Sequence, residues 1–296
     1  MQKVLVIVGP TASGKSVLGI ELAKQYNGEI INGDAIQVYQ GLDIGSAKIS
    51  ESEMAGIKHH LLDYVAADED YNVARFKNDA RDKIKKINDN GKLPIIVGGT
   101  GLYIRACLYD YDFPAQIEDR IEISLSNEEL YNKLKEVDPE ALKKIHINNR
   151  QRLLRAYEVY LRTGIPFSKH IAKQKHEQLY NSLIIALDMD REELYKRIDL
   201  RVEKMFEKGL EQEIRSLLAK GISFEMRSMQ AIGYKEFKDY IQGDLNIEEL
   251  KALIKKDTRN FAKRQYTWLR HQLPVKWFHY QATEKIKEEV NKWLNI

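Results

Sequence analysis

The sequence lacks the features of disulfide-rich, membrane-spanning and repeat proteins. Its 296 residues include a single cysteine, Cys107, which excludes an internal disulfide and a cysteine-based zinc site. Every apolar run is far shorter than a membrane span, and the opening run MQKVLVIVGP breaks at Gly9 and Pro10, before a signal-peptide core is complete. Internal repeats and low-complexity segments are also absent. We therefore expect a cytoplasmic protein with a substantial hydrophobic core and no membrane partner.

Charge of one sign is not in large excess, since the net charge is only +3. The distribution is more informative than the total. Between Leu142 and Tyr180, nine Lys or Arg residues face two Asp or Glu residues, and a second basic stretch runs from Arg259 to Arg270. Concentrated positive charge suits a polyanion such as nucleic acid. A solvated helix face in a lysine-rich protein gives the same pattern, so charge alone leaves both interpretations open.

The first third of the chain alternates strand patterns with helix patterns. The short apolar runs KVLVIVG, GEIING and LPIIVGG predict strands, whereas SVLGIELAKQY and NVARFKNDARDKIKKINDNG have helical spacing, the latter closed by Gly91. This order predicts an α/β fold with a P-loop NTPase-like parallel sheet covered on both faces. Ligands of such sheets bind beyond the carboxyl ends of the strands, where the polar segments GPTASGKS, GDAIQVYQG and GGTGLY fall.

Gly and Pro become scarce after about residue 115, and helical periodicity dominates the rest of the chain. The run SLIIALDMD, residues 182–190, is an exception that predicts a further strand returning to the sheet. We predict that residues 1–114 and 181–296 form the P-loop α/β core with its flanking helices. Residues 115–180 are predicted to form a mainly helical insertion, which contains the first basic stretch.

The segment GPTASGKS has the spacing of a phosphate-binding loop, with a strand before it and a helix after it. Backbone N–H groups and a helix N-terminus attract phosphate oxygens. Lys15 adds a mobile positive charge, and the hydroxyl of Ser16 can ligate Mg²⁺. The predicted phosphate-binding residues are Gly9, Pro10, Thr11, Ala12, Ser13, Gly14, Lys15 and Ser16.

An acidic metal partner at the end of a second buried strand is not evident. LPIIVGG ends in glycines, and LIIALD ends in Asp188, beside Asp190, which is placed to cap the next helix. Asp188 is therefore either a metal partner or a structural residue. The loop is accordingly expected to hold a diphosphate or triphosphate that departs without a water-activating group.

Two polar residues follow strands near this loop. Asp34 is a candidate general base, because a carboxylate beside phosphates is costly unless it binds metal or takes a proton; a turn aspartate is the alternative. Thr100 lies between glycines that allow a ligand to approach the backbone, and its hydroxyl can orient an amine or phosphate; a tight turn is the alternative. Asp43 is a weaker acid candidate, and Lys48 is either a phosphate contact or a surface lysine.

Taken together, these segments resemble the tRNA dimethylallyltransferase family, also called tRNA isopentenyltransferase, in its bacterial form. The similar segments are GPTASGKS, GDAIQVYQGLDIGSAK, HHLLD, GGTGLYI, NNRQRLLRAYEVYLRTGIPFS, LDMDREELYKRIDLRVEKMFEKGL, QAIGYKEF and TRNFAKRQYTWLR. They occur in order over nearly the whole chain, so the resemblance is more specific than a P-loop alone.

The resemblance implies a reaction. The loop would grip the diphosphate of dimethylallyl diphosphate with Mg²⁺, and the allyl group would move to N6 of adenosine 37 next to the tRNA anticodon. Asp34 would take the N6 proton, Thr100 would place the amine and a phosphate oxygen, and Lys15 would stabilise the leaving group. The partners implied are the tRNA anticodon stem-loop and dimethylallyl diphosphate, and the chain is expected to act as a monomer.

The resemblance also implies a tRNA-binding set in both parts of the chain. Relatives commonly carry Ser where this chain has Ala35, and Arg120, in a segment shorter than usual, matches a family arginine that contacts tRNA and diphosphate. The implied tRNA contacts are Asp34, Ala35, Ile36, Gln37, Thr100, Arg120, Gln151, Arg152, Leu153, Leu154 and Arg155.

Three rival interpretations remain at this point. A small-molecule P-loop kinase shares the loop, but it usually lacks a large basic helical part. Prenyl transfer to free AMP or ADP needs no tRNA surface, against which the basic stretch in residues 142–180 counts. A non-enzymatic RNA-binding protein would not need Lys15, Ser16 and Asp34 to be intact. A nucleotide as an occasional occupant of the loop is compatible with all of them.

Overall fold

The computed structural model describes residues 1–111, 113, 121, 123–174 and 176–296. The chain divides into two compact units. The first comprises Met1–Leu108 and Leu179–Ile296, and the second comprises Tyr109–Gln178. Within the described ranges, every helix is too short or too polar to cross a bilayer.

A parallel sheet forms the centre of the first unit. Its strands are β1 (Lys3–Val8), β2 (Gly28–Asn32), β3 (His59–His60), β4 (Leu93–Val97), β5 (Asn181–Asp188) and β6 (Lys276–His279). The order across the sheet is β3-β2-β4-β1-β5-β6, and every pairing is parallel. Ile7 of β1 pairs with Val97 of β4, so these two strands end at the same edge. The predicted α/β fold with a parallel sheet is confirmed.

Helices cover both faces of this sheet, as continuous apolar strands require. The helices described in this unit are α1 (Lys15–Gln25), α2 (Glu51–Met54), α3 (Val73–Asp89), α4 (Gly101–Leu108), α9 (Arg191–Glu207), α10 (Leu210–Ala219), α11 (Phe237–Gln242), α12 (Ile247–Gln272) and α13 (Thr283–Leu294). Leu5 and Ile7 of β1 belong to one core cluster with residues of α1 and α13. Since side chains alternate along a strand, Val6 points to the opposite face, and it is also fully buried.

Local signals in the sequence explain where several helices begin and end. The Asn72 side chain accepts hydrogen bonds from the N–H groups of Ala74 and Arg75 and so caps α3, which ends near Gly91 at a φ of 67°. Asp190 caps α9 in the same way, as predicted. The helical predictions for α1 and α3 are confirmed.

Two strands of the sheet escaped prediction. β3 is two residues long, within HHLLD, and β6 is a four-residue edge strand whose residues are exposed or half-buried. Neither shows an apolar run or a clean alternation, because each makes contact along one side only. Hydrogen bonding to β2 and β5 makes these segments strands, and their local sequence does not predict it.

The second unit is helical in its described part. Its helices are α5 (Asn127–Val137), α6 (Pro139–Leu142), α7 (Arg150–Thr163) and α8 (Phe167–Ala172). The core contains Leu130, Leu134 and Leu153, all fully buried. Asp138 is buried as well; its carboxylate accepts from the N–H of Ala141 and from the N–H and hydroxyl of Ser168. These bonds tie α6 to α8.

Candidate active site

The phosphate loop lies between β1 and α1. Ala12 and Gly14 adopt left-handed conformations with φ of 63° and 90°, which curl the backbone ahead of the helix that begins at Lys15. The hydroxyl of Ser13 is buried without a hydrogen-bond partner among the described residues. Such an orphaned polar group inside a phosphate loop fits a site built for an anion that supplies the missing partner.

Three charged groups converge beside this loop. Burial, together with the Arg201 guanidinium, lowers the pKa of Lys15 to about 8, while the Asp34 carboxylate acts in the opposite direction. Burial also lowers the pKa of Arg201, and Asp34 again opposes the shift. Two half-buried cations and one half-buried carboxylate leave a positive surplus. The surplus suits a ligand with more than one negative charge.

Lys15 is held within the loop. Its ammonium group donates to the carbonyl oxygen of Pro10 at 2.6 Å. This contact keeps the charge at the mouth of the loop, where phosphate oxygens would compete for it. A lysine with a lowered pKa and a single carbonyl partner is ready to exchange that partner for an anion.

Asp34 follows β2 and forms a tight turn. One carboxylate oxygen, Oδ1, accepts from the N–H of Ile36 at 2.9 Å and of Gln37 at 3.4 Å. The other oxygen, Oδ2, has no hydrogen-bond donor among the described residues. The two interpretations offered by the sequence are therefore compatible, because one oxygen fixes the turn and the other is available to take a proton.

The backbone of Asp34 is anchored from the strand that precedes it. Asn32 is buried, and its Oδ1 accepts from the Asp34 N–H at 3.1 Å. Its Nδ2 donates to the carbonyl oxygens of Asp34 at 3.2 Å and of Leu61 at 2.9 Å. The carboxylate is therefore carried on a backbone segment with little freedom.

Thr100 lies directly opposite the Asp34 turn. Its hydroxyl accepts from the N–H of Ala35 at 3.1 Å, and its own N–H donates to the carbonyl of Gly33 at 3.2 Å. Since the hydroxyl acts as acceptor in this contact, its proton remains available for a ligand oxygen or ring nitrogen. Ala35 supplies a backbone group here, and its methyl side chain adds no donor.

The glycines around Thr100 are close to protein groups. A Cβ on Gly98 would lie 2.2 Å from the carbonyl carbon of Gly33, and one on Gly99 would lie 2.3 Å from Nε2 of Gln265. A Cβ on Gly101 would lie 2.2 Å from the ring of Trp268. The sequence offered ligand approach as the reason for these glycines. The structure gives a different reason, since neighbouring protein atoms already occupy the space.

The loop of residues 43–48 is fixed by charged side chains. Lys48 donates to the carbonyl of Tyr39 at 2.7 Å and to the carboxylates of Asp43 and Asp63, both at 2.5 Å. Its side chain is 6% exposed. The suggestion that Lys48 is a surface lysine is wrong, because its side chain is buried and its ammonium group has three protein partners. These partners account for Lys48 and Asp43 locally, and their roles at the site stay predictions.

Glu213 holds the same loop from α10. Its carboxylate accepts from the N–H groups of Asp43, Ile44 and Gly45 at 2.7–3.1 Å, and from the hydroxyl of Tyr234 at 2.7 Å. Three consecutive N–H groups facing one carboxylate form a backbone anion site within the protein. The loop is thereby positioned against α10.

Gln37 connects this loop to the Asp34 turn. Its Nε2 donates to the carbonyl oxygens of Ser46 at 3.1 Å and of Ala47 at 3.2 Å. The guanidinium of Arg201 also donates to the Ser46 carbonyl, at 3.4 Å. The backbone at Ser46 and Ala47 therefore links Gln37, in the Asp34 turn, with Arg201. Ile36, in the same turn, is half-buried.

The tRNA-binding residues predicted in the second unit lie on α7. Gln151 and Arg152 are exposed, and Arg155 is half-buried with a 3.8 Å ion pair to Glu158. Leu153 is fully buried in the core of the unit, where its side chain stabilises α7 and does not reach the surface, and Leu154 packs at the edge of that core. A polar recess of about 490 Å³ lies at the start of the helix; its lining residues are His146, Asn148, Asn149, Arg150 and Gln151. Arg120 lies outside the described residues.

Asp188 ends β5, beside β1. Its Oδ1 accepts from the N–H of Met189 at 2.9 Å, and burial, together with the Asp188 carboxylate, raises the pKa of Tyr266. These contacts account for Asp188 locally. They leave its role as a metal partner a prediction.

The residues at the loop fit a magnesium ion bound together with phosphate. Ser16 is exposed at the first turn of α1, directly after Lys15. Mg²⁺ needs only one or two protein oxygens when substrate phosphates complete its shell. The described residues contain no cluster of three acidic, His or Cys groups that would bind a metal without phosphate.

Two residues of the site were not singled out from the sequence. Arg201 lies on the apolar stripe of α9 that contains Leu194 and Ile198, and Gln265 lies on that of α12, between Ala262 and Leu269. A charged or amide residue at a buried helical position usually has a specific partner. This pattern is visible in the sequence and indicates that each residue has a specific partner, but it does not indicate which partner.

Comparison with known proteins gives one consistent result. The family model for IPP transferase matches residues 37–272. A tRNA dimethylallyltransferase of Anoxybacillus flavithermus is 47% identical over 298 residues, covering 99% of this chain and 96% of that protein. A tRNA dimethylallyltransferase of Acetivibrio thermocellus is 45% identical over 306 residues, covering 99% of this chain and 98% of that protein.

Comparison with solved structures gives the same family. The tRNA delta(2)-isopentenylpyrophosphate transferase of Staphylococcus epidermidis has a TM-score of 0.75 at 41% identity, and the match covers 99% of both chains. A eukaryotic dimethylallyltransferase, captured in crystals acting on tRNA, has a TM-score of 0.87 at 30% identity, and the match covers 100% of this chain and 80% of that chain.

Proposed function

The chain belongs to the IPP transferase family of tRNA dimethylallyltransferases, and we propose that it moves the dimethylallyl group of dimethylallyl diphosphate to N6 of adenosine 37, next to the tRNA anticodon. The products are N6-isopentenyladenosine in the tRNA and diphosphate. The observation that carries this proposal is the convergence of Lys15, Arg201 and Asp34 at one edge of the sheet. Two cations suit a diphosphate, and one carboxylate suits an amine that must lose a proton.

The phosphate loop is proposed to bind the donor through its diphosphate. The surplus charge of Lys15 and Arg201 and the unpartnered hydroxyl of Ser13 favour this assignment. Mg²⁺, held by the hydroxyl of Ser16 and by phosphate oxygens, would neutralise charge on the diphosphate. The protein groups stabilise the negative charge that develops as the allylic C–O bond breaks.

The acceptor amine requires a base. Adenine N6 is a poor nucleophile because its lone pair is delocalised into the ring. We assign the proton to Oδ2 of Asp34, which has no donor in the described structure, while Oδ1 keeps the turn in place. As the N–C bond forms and the C–O bond breaks, the N6 proton passes to Asp34 and the electron pair of the C–O bond leaves with the diphosphate.

Thr100 is proposed to orient the reacting groups. Its hydroxyl is fixed by the N–H of Ala35, so its proton has a defined direction toward a phosphate oxygen or the base. The target base is stacked in the anticodon loop and must be extruded before it reaches Asp34. Ala35, Ile36 and Gln37 are placed on the same turn and would contact the extruded nucleotide.

The helical unit is proposed to bind the anticodon stem-loop through α7. Gln151 and Arg152 present polar groups at an exposed helix start, beside the polar recess. Backbone charge and splayed loop bases are the usual targets of such a surface. We further propose that the enzyme acts as a monomer in the cytoplasm, with Arg120 as an additional contact.

A direct assay tests the function. Purified protein, dimethylallyl diphosphate and Mg²⁺ are incubated with an anticodon stem-loop that has three adjacent adenosines, and the RNA is digested and examined by mass spectrometry. A C5 unit on one adenosine is expected. Parallel reactions replace the RNA by AMP or ADP, or replace the donor by ATP. Prenyl transfer to free nucleotide alone, or phosphate transfer alone, would instead support a rival activity.

Donor use is expected to fall in alkaline solution. Lys15 has a pKa of about 8 in the free protein, so its positive charge is present below that pH and is lost as the pH rises through it. The kcat/KM for dimethylallyl diphosphate should therefore decline above about pH 8, since this parameter reports ionisations of the free enzyme. Steady-state rates between pH 6.5 and 10 check the prediction, and a flat profile up to about pH 10 would contradict it.

Removing positive charge from α7 is expected to weaken RNA binding. The double variant Arg152→Ala with Arg155→Ala should raise the KM for the stem-loop and reduce the slope of log K against log salt by about 1.5, since each lost phosphate contact contributes ~0.7–0.9. Lys133→Ala with Lys135→Ala removes equal charge from exposed positions of α5 and serves as the control. Equal slopes for both doubles would place the RNA-binding surface elsewhere.

A further inference from the structure

Gln265 connects the phosphate loop with the loop that carries Thr100. Its Oε1 accepts from the N–H of Thr11 at 2.9 Å, and its Nε2 donates to the carbonyl oxygen of Gly99 at 3.0 Å. The side chain is only 6% exposed. Both ends of one amide are thus committed to two different loops of the site, and the two hydrogen bonds span most of the sequence, since Thr11 and Gln265 are 254 positions apart.

The same face of α12 fixes the loop from both sides of Thr100. Gln265 lies against Gly99, and Trp268, three residues later, lies against Gly101. Residues three apart share a helix face, so one rigid surface contacts the glycines on either side of Thr100. A Cβ on either glycine would overlap a side chain of α12, so the loop is packed closely against this helix.

The bond to Thr11 also defines which loop amides can face a phosphate. Because the N–H of Thr11 donates to Gln265, it points toward α12 and away from a ligand in the loop. The amide of Gln265 therefore orients the first residues of the loop as well as the Gly99 carbonyl. A buried amide with both of its functions satisfied by main-chain groups behaves as a spacer of fixed length.

We infer that Gln265 is a positioning residue for the transfer reaction: it sets the separation between the diphosphate held by the phosphate loop and the acceptor placed by Thr100 and Asp34. This inference rests on the proposed function. Gln265 touches neither reacting atom, so its effect is on the rate of the bound complex. A displacement of about 1 Å between reacting groups costs on the order of 10²-fold in rate.

Three variants test the inference. Gln265→Met keeps the approximate volume and removes both hydrogen bonds. Gln265→Glu keeps the acceptor for Thr11 and, when ionised, has no donor for Gly99. Gln272→Met is the matched control, since Gln272 is on the same helix, is exposed and accepts a hydrogen bond from Arg105 outside the site. Single-turnover rates with saturating donor and stem-loop, stem-loop Kd values and thermal unfolding midpoints are measured for each.

We expect Gln265→Met to lower the single-turnover rate about 10–100-fold, with the stem-loop Kd within about 2-fold of the unmodified protein. Gln272→Met should match the unmodified protein. For Gln265→Glu, the rate relative to the unmodified protein should rise as the pH falls from about 8 to about 6, because the protonated carboxyl group regains a donor for Gly99. Taking the ratio cancels the titration of Lys15, which both proteins share.

The outcomes separate this inference from the proposed function. If the unmodified protein transfers no C5 unit, the proposed function fails. If it does and Gln265→Met reacts as fast as Gln272→Met, the positioning role is overturned. Should Gln265→Met fail to fold, the Gln265→Glu ratio decides: a ratio that rises with falling pH supports the role, and one that is constant with pH overturns it.

Discussion

Replacing Asp34 by asparagine is expected to lower the single-turnover rate of prenyl transfer by about 10²–10⁴-fold, the usual contribution of a general base. The substitution is nearly isosteric, and the amide oxygen can still accept from the N–H groups of Ile36 and Gln37. The turn is therefore preserved, and the property that is lost is the ability to take the N6 proton. Transfer to the stem-loop is measured by mass spectrometry at saturating donor.

Binding measurements show whether the loss is chemical. The Kd of Asp34→Asn for the stem-loop should stay within about 3-fold of the unmodified value, and its unfolding midpoint should be unchanged. Asp82→Asn, at an exposed position of α3, is the control for loss of a carboxylate. A rate for Asp34→Asn within about 3-fold of that control would remove Asp34 from the chemical step.

Replacing Lys15 by alanine is expected to reduce kcat/KM for dimethylallyl diphosphate by about 10²–10³-fold, the range found when one donor to a developing negative charge is deleted. The ammonium group is the mobile cation of the loop, with a single carbonyl partner at 2.6 Å. Without it, one of the two cations described beside Asp34 is lost, and the charge of the leaving diphosphate is less well stabilised. Initial rates at varied donor concentration give the comparison.

The matched control for this variant is Lys24→Ala, which removes a lysine from an exposed position of the same helix. Stem-loop affinity should be the same for both variants, because the loop is proposed to bind the donor. If Lys15→Ala retains more than about one third of the donor kcat/KM of Lys24→Ala, the assignment of the loop to the diphosphate is contradicted.

The parts of the fold predicted from the sequence are those encoded locally. The apolar run before Gly9 and the turn residues after it are consecutive, so the strand, loop and helix around Lys15 can be predicted from a short window. Each of the four longer strands contains a buried apolar run, because both faces of the sheet are covered. β3 and β6 have no such pattern, because edge strands are defined mainly by the partner they pair with.

In the site too, residues next to a strand end could be predicted from the sequence, and residues whose partners are distant in the chain could not. Asp34 and Thr100 follow strands directly, and the rule that ligands bind at the carboxyl ends of parallel strands places them together. Lys48 was misjudged because its partners Asp43 and Asp63 come together only after the chain has folded. Arg201 and Gln265 reach the site from distant helices, and no local window relates them to the phosphate loop.

The contact between Gly33 and Gly98 has a consequence for engineering the acceptor range. A Cβ built on Gly98 would lie 2.2 Å from the carbonyl carbon of Gly33, so a side chain at position 98 would displace the backbone that leads into Asp34. Libraries that aim at larger or smaller purine analogues should leave Gly98 unchanged. Substitutions are better placed at Ala35 and Ile36, which are half-buried and whose side chains make none of the hydrogen bonds described for the turn.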